Sequence, residues 1–163
     1  IRLPLTPLAA PHEPLDAASP PAGPLLVPSP RPLAPTRLRV LVVDDNHANQ
    51  VLLRQQLKHL GHEVCVRGNG AEALQASQSQ PFDLVITDCQ MPLMDGFELT
   101  RRLRARGHTQ PIWGFTAHAT ARERELCLAA GMDDCLYKPI GLARLRTALA
   151  SLEQTNAGAL SPV

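Results

Sequence analysis

A doubly wound α/β fold, five parallel strands in the order 2-1-3-4-5 with helices on both faces, is predicted by three observations. From residue 37 onward, five short apolar runs alternate with five helical patterns. The runs Val40-Leu41-Val42-Val43 and Leu84-Val85-Ile86 are continuous and β-branched, as strands buried on both faces must be. Four of the five runs end, within a residue or two, in a polar side chain: Asp44-Asp45, Asp88, Thr116 and Lys138. Strict alternation implies right-handed crossovers and a parallel sheet covered on both sides. With five such units the order 2-1-3-4-5 puts the topological switch point between strands one and three. Those are the strands that end in Asp45 and Asp88.

Each element has its own local cause. After the first strand, residues 47 to 60 carry Leu53, Leu57 and Leu60 on one helical face, and Gly61 stops the helix. Strand two, residues 63 to 67, alternates as Glu-Val-Cys-Val-Arg, the pattern of an edge strand. Asn69 and Glu72 form a capping-box pair that opens a helix through about Gln78. Pro81 precedes strand three and Met91-Pro92 breaks any structure continuing from it. Asp95-Gly96 then opens a helix to Arg106 anchored by Phe97, Leu99 and Leu103. Strand four covers about 111 to 115, and Thr120 with Glu123 is a second capping box, for a helix ending near Gly131. Strand five is 134 to 137. The last helix carries Leu142, Leu145, Leu149 and Leu152 as a single stripe. The arrangement is flavodoxin-like.

The flanks read differently. Residues 1 to 36 hold 11 of the 16 prolines. Missing N–H donors and fixed φ angles exclude helix and central strand there, so an extended interdomain linker is expected. The globular domain is expected over 37–153 and a flexible tail over 154–163. The chain begins at Ile1 without Met or a secretory leader, and is expected to be a piece of something longer. A net charge of +1 in 163 residues favours neither a nucleic-acid nor a membrane surface. The four cysteines show no zinc spacing and fit reduced thiols of a cytoplasmic protein.

Asp-Asp after the first strand, Asp-x-x-Met-Pro-x-Met-Asp-Gly after the third, Thr-Ala after the fourth and Lys-Pro after the fifth resemble a response-regulator receiver domain. The finer wording, Thr-Asp-Cys-Gln-Met-Pro and Gly-Met-Asp-Asp-Cys-Leu-Tyr-Lys-Pro-Ile, is most similar to receivers inside virulence-type hybrid sensor histidine kinases. The resemblance implies a phosphohistidine donor, a histidine kinase core or histidine phosphotransfer domain as partner, and the backbone carbonyl of Gln90 as a metal ligand. One departure stands out: the position three before Lys138, aromatic in many receivers, is Cys135.

The residues themselves support phosphoryl chemistry. Two carboxylates about 4 Å apart at an effective dielectric of about 20 repel by about 4 kcal/mol. Asp44, Asp45 and Asp88 therefore need a cation, and oxygen-only ligands with open positions favour Mg²⁺. The chain has only two lysines, Lys58 and Lys138, and one of them falls at this edge. Asp88 is the expected nucleophile and phosphoacceptor. Asp45 and Asp88 are the expected metal ligands, with Asp44 acting through water. Lys138 supplies a point charge and Thr116 a hydroxyl donor. His47 and His118 are expected to be exposed polar residues at helix starts. Two other readings use the same residues. A magnesium-dependent aspartyl-phosphate phosphohydrolase would want an acid two residues after Asp88, where Gln90 stands. A receiver-like interaction module that is never phosphorylated would have no use for the polar cluster. No G-x-G-x-x-G follows the first strand, which excludes a dinucleotide site.

Overall fold

A computed structural model describes residues 36–159, so the expected linker over 1–36 lies almost wholly outside the described residues. The elements are β1 (Arg39–Val43), α1 (His47–His59), β2 (Glu63–Arg67), α2 (Gly70–Ser79), β3 (Leu84–Asp88), α3 (Gly96–Ala105), β4 (Ile112–Thr116), α4 (Ala121–Ala130), β5 (Asp134–Tyr137) and α5 (Leu142–Ala159). The sheet is parallel throughout, in the order β2-β1-β3-β4-β5. The expected fold class, strand order and all ten elements are present.

The alternating side chains of the strands feed two cores. One face sends Val40, Val42, Leu84, Ile86, Trp113, Phe115 and Leu136 against α1 and α5, where Leu53, Leu57, Leu145 and Leu149 meet them. The other sends Leu41, Val43, Val85, Ile112 and Cys135 against α2, α3 and α4. β2 is an edge strand, and its five residues are all partly buried. Its alternation selects the face: Val64 and Val66 pack on the first core and Cys65 on the second.

The helices are held unequally. A fully buried leucine contributes about 1.5–3 kcal/mol. α1 buries Leu53 and Leu57 and α3 buries Leu99 and Leu103, whereas α4 buries only Cys127 and Ala130. α4 is therefore the most weakly anchored of the helices whose burial is described along their full length. It ends in a Schellman turn: Gly131 has φ 104°, its N–H donates to the Leu128 carbonyl, and the Met132 N–H donates to the Cys127 carbonyl.

Arg104 is more than a favourable charge at the end of α3. Its guanidinium donates to the carbonyls of His108, Gln110 and Gly131 and to Asp133 Oδ2 at 2.7 Å. It thereby ties α3 to the turn that leads into β5. The domain boundary expected at residue 153 falls inside α5, which continues to Ala159. Thr147, Ser151 and Thr155 point their hydroxyls back to carbonyls four residues earlier, so polar side chains here accompany the helix rather than end it.

Candidate functional site

The site forms at the carboxyl edge of the sheet because parallel register aligns the strand ends there. Val43 lies opposite Thr87, Asp88 opposite Phe115, and Thr116 opposite Tyr137. The next residue of each strand or loop then projects into the same crevice. Each of the six residues expected at the site (Asp44, Asp45, Asp88, Gln90, Thr116 and Lys138) lies on or just after β1, β3, β4 or β5 at this edge.

Asp44 is fully buried and Asp88 is 7% exposed, whereas Asp45 faces solvent. The three carboxylates bring oxygens within 4.8 Å of one another. Asp44 is fixed by the loop that starts α1. Its Oδ1 accepts from the Asn46 N–H at 2.8 Å and from Asn49 Nδ2 at 3.3 Å, while Gln50 Nε2 donates to its carbonyl. Asn46 is the N-cap of α1, accepting from the Ala48 and Asn49 amides. Neither asparagine was legible as a site residue, because a cap signal alone does not say that the capped loop also holds an acid.

Lys138 bridges two of the acids. Its Nζ is 2.7 Å from Asp88 Oδ2 and 3.1 Å from Asp44 Oδ2, and it sits 5.0 Å from the centre of the Phe115 ring. The second contact is an ion pair rather than a hydrogen bond, and it is the one polar contact that the buried Asp44 Oδ2 has among the described residues. A buried carboxylate oxygen without a hydrogen bond, beside two more carboxylates, is the environment that a hard divalent cation satisfies, and the donor set fits Mg²⁺.

Burial raises the Asp88 carboxyl above its ordinary value, and hydrogen bonds from Lys138 and the Gln90 amide offset that only in part. For Lys138 burial works to lower the pKa, but the hydrogen bond to Asp88 and the adjacent Asp44 carboxylate outweigh it, and the ammonium is held above the usual lysine value. The Gln90 amide donates to Asp88 Oδ1 at 3.0 Å, and the Gln90 side chain is exposed.

Thr116 is 2% exposed, and its hydroxyl is already engaged. It accepts from the His118 amide at 3.1 Å and donates to Glu123 Oε1 at 3.2 Å. The expected capping box is therefore only half formed. Thr120 caps the Glu123 amide, but its own N–H donates to the His118 carbonyl, which leaves the Glu123 carboxylate for Thr116. Glu123 was missed because its capping signal in sequence pointed back at Thr120. His47 and His118 are both exposed, as expected.

Residues 40–150 match the family described as the response regulator receiver domain. The Escherichia coli K12 protein described as sensor protein EvgS is 48% identical over 120 residues, covering 74% of this chain and 10% of that protein. The virulence sensor protein BvgS of Bordetella bronchiseptica is 52% identical over 119 residues, covering 69% of this chain and 10% of that one. Among solved structures, the receiver domain of the Pseudomonas aeruginosa sensor histidine kinase PA1611, described with a magnesium ion coordinated in its active-site cleft, superposes with a TM-score of 0.66. The two are 36% identical, with 71% of this chain and 97% of that one covered. The chain thus spans about a tenth of the full-length sensor proteins it matches.

Proposed function

Because this chain belongs to the response regulator receiver domain family, we propose that it takes a phosphoryl group from a phosphohistidine onto Asp88 and passes it onward in a phosphorelay. The observation that carries this reading is Lys138 Nζ held 2.7 Å from Asp88 Oδ2 at the mouth of a three-carboxylate cluster. A lysine so placed both balances the resting charge and stands ready for a phosphoryl oxygen.

Asp45, Asp88, the backbone carbonyl of Gln90 and, through water, Asp44 would hold Mg²⁺. When bound, the ion supplies charge neutralisation at the phosphoryl oxygens. The chain's own residues do the rest. An Asp88 carboxylate oxygen attacks phosphorus while the bond from phosphorus to the donor's imidazole nitrogen breaks, and the imidazole leaves with the bonding pair. Lys138 turns from the carboxylates to a phosphoryl oxygen. Thr116 donates to another, which requires its hydroxyl to leave Glu123. The product is an aspartyl phosphate that either moves to a second histidine or is hydrolysed.

We assign the chain to a hybrid sensor histidine kinase, on the cytoplasmic side, with the kinase core and a histidine phosphotransfer domain elsewhere in the parent protein. The identities of 48% and 52% to such sensor proteins support this. Among the described residues no helix is long and apolar enough to cross a membrane. The test is transfer: a histidine phosphotransfer domain carrying labelled phosphohistidine, mixed with this chain and Mg²⁺, should lose label to an acid-stable, alkali-labile group at Asp88. Label that stays on the histidine while both proteins remain folded would overturn the reading.

The metal assignment has its own measurement. Mg²⁺ relieves repulsion present only in the fold, so at tenfold over its Kd it should stabilise by about 1.4 kcal/mol. For a domain of this size that raises Tm by about 4 °C. Asp45→Ala should abolish the response, and a native Tm indifferent to Mg²⁺ would contradict the assignment.

A further inference from the structure

The second core contains a feature that phosphoryl transfer does not use. Cys89 from the end of β3, Cys127 from α4 and Cys135 from β5 meet in one cluster, at 0%, 0% and 2% exposure. Their sulfurs touch: Cys127 Sγ donates to Cys135 Sγ at 3.3 Å and lies 3.6 Å from Cys89 Sγ. The strand beneath makes room for them. A Cβ on Gly114 would fall 2.8 Å from Met132 Sδ, 2.9 Å from Cys127 Sγ and 3.0 Å from Cys89 Sγ, so the space of an ordinary side chain is filled by sulfur.

We propose that Cys127 and Cys135 are a disulfide-forming pair that closes when a hydroperoxide oxidises the reduced chain, fastening α4 to β5. Geometry selects this pair over Cys89 and Cys127, because theirs is the shorter separation. Forming an S–S bond of about 2.05 Å requires the sulfurs to approach by about 1.3 Å, within reach of side-chain rotation. The Schellman turn at Gly131 already sets Cys127 and Cys135 side by side across a short connection.

The chemistry balances. The Cys135 sulfur attacks the terminal oxygen of the hydroperoxide, the O–O bond breaks, and the alcohol or water leaves with a proton, giving a sulfenic acid. The Cys127 sulfur then attacks that sulfur and expels water, so two thiols are oxidised and one peroxide reduced. The order follows from acidity. Sulfur hydrogen bonds within the cluster pull the Cys135 thiol, which accepts from Cys127, down to about 7, while burial pushes the Cys127 thiol up to about 12. Access comes from α4 itself. A helix whose buried residues are one cysteine and one alanine opens more readily than its neighbours, and opening it lifts Cys127 away and uncovers Cys135 on the strand beneath. Closure joins the helix that carries Glu123 to the strand that delivers Lys138, so oxidation would restrain both flanks of the phosphoryl site.

The proposal is independent of phosphorylation and is tested without it. The reduced 163-residue chain is treated with hydrogen peroxide, unfolded, alkylated and digested with trypsin. Cys127 and Cys135 fall on one tryptic peptide, 125–144, and Cys89 on another, 68–101. The expected result is that peptide 125–144 appears unalkylated and two hydrogens lighter. Amide exchange in α4 should slow by about tenfold or more in the oxidised chain. Alkylation of both cysteines after peroxide, a cross-link from 68–101 to 125–144, or sulfinic acids in place of a disulfide would overturn the pairing. A disulfide that leaves α4 exchange unchanged would overturn the claim that it fastens the helix.

Discussion

Asp88→Asn is expected to reduce phosphoryl acceptance to below about 1% of the native rate, because a carboxamide is nearly isosteric with the carboxylate but a very poor nucleophile. Native chain incubated with a small acyl phosphate and Mg²⁺ should gain one phosphoryl group, and the variant none. Equal labelling of both would refute Asp88 as the acceptor. The same variant carries a second expectation with a definite sign. The folded-state carboxyl of Asp88 is raised, chiefly by burial. A raised pKa means that Asp88 contributes stability below its unfolded value of 3.8, and that this contribution is lost as the pH rises through the folded value. In metal-free protein the native Tm should therefore fall relative to that of Asp88→Asn as pH climbs from near 3.8 to neutrality. Lys138 keeps Asp44 as a partner in the variant, so the fold does not lose its only charge balance. A parallel pH dependence of the two Tm curves would contradict the burial argument.

Gly96→Ala should be the most destabilising single-methyl change at the site. Gly96 opens α3, and a Cβ there would collide with the backbone carbonyl of Asp88, with Cys89 Cα only 3.2 Å away. Alanine in place of glycine gains about 1 kcal/mol in helix propensity. A backbone collision that no side-chain rotation relieves costs about 3 kcal/mol and wins. Because the displaced atoms belong to the strand end that carries Asp88, the proposed acceptor, phosphorylation should fall together with stability. Urea denaturation and acyl-phosphate labelling on the same sample would show both losses. A variant as stable as the native chain would mean that the loop yields, and that the close approach of α3 to β3 is not obligatory.

The fold and the gathering of these polar side chains at one edge of the sheet were legible in the sequence for a common reason. Buried parallel strands must be short, apolar and continuous, so a carboxylate or lysine placed directly after one is conspicuous. Asp88 and Thr116 are the last residues of their strands and Asp44, Asp45 and Lys138 follow theirs by one or two positions, and alternation of strands and helices brings these ends to one edge of the sheet. The helix caps were legible too, since Asn69, Asp95 and Thr120 accept from amides three residues on.

Tertiary structure alone decided how the polar groups share partners. Sequence pairs Glu123 with Thr120, but the loop after β4 sends the Thr120 amide to the His118 carbonyl, and the Glu123 carboxylate turns to Thr116 instead. The strand pattern places a lysine at the acidic edge, but only the folded chain shows it between Asp44 and Asp88 with one buried Asp44 oxygen left without a hydrogen bond. The cysteines lie at 89, 127 and 135 with no spacing that predicts contact; the crossover through β4 and the recess over Gly114 bring their sulfurs together. Local propensity acts over three or four residues, whereas Lys138 reaches across 50 residues of chain to Asp88 and further still to Asp44, and such partnerships exist only once the sheet has set its register.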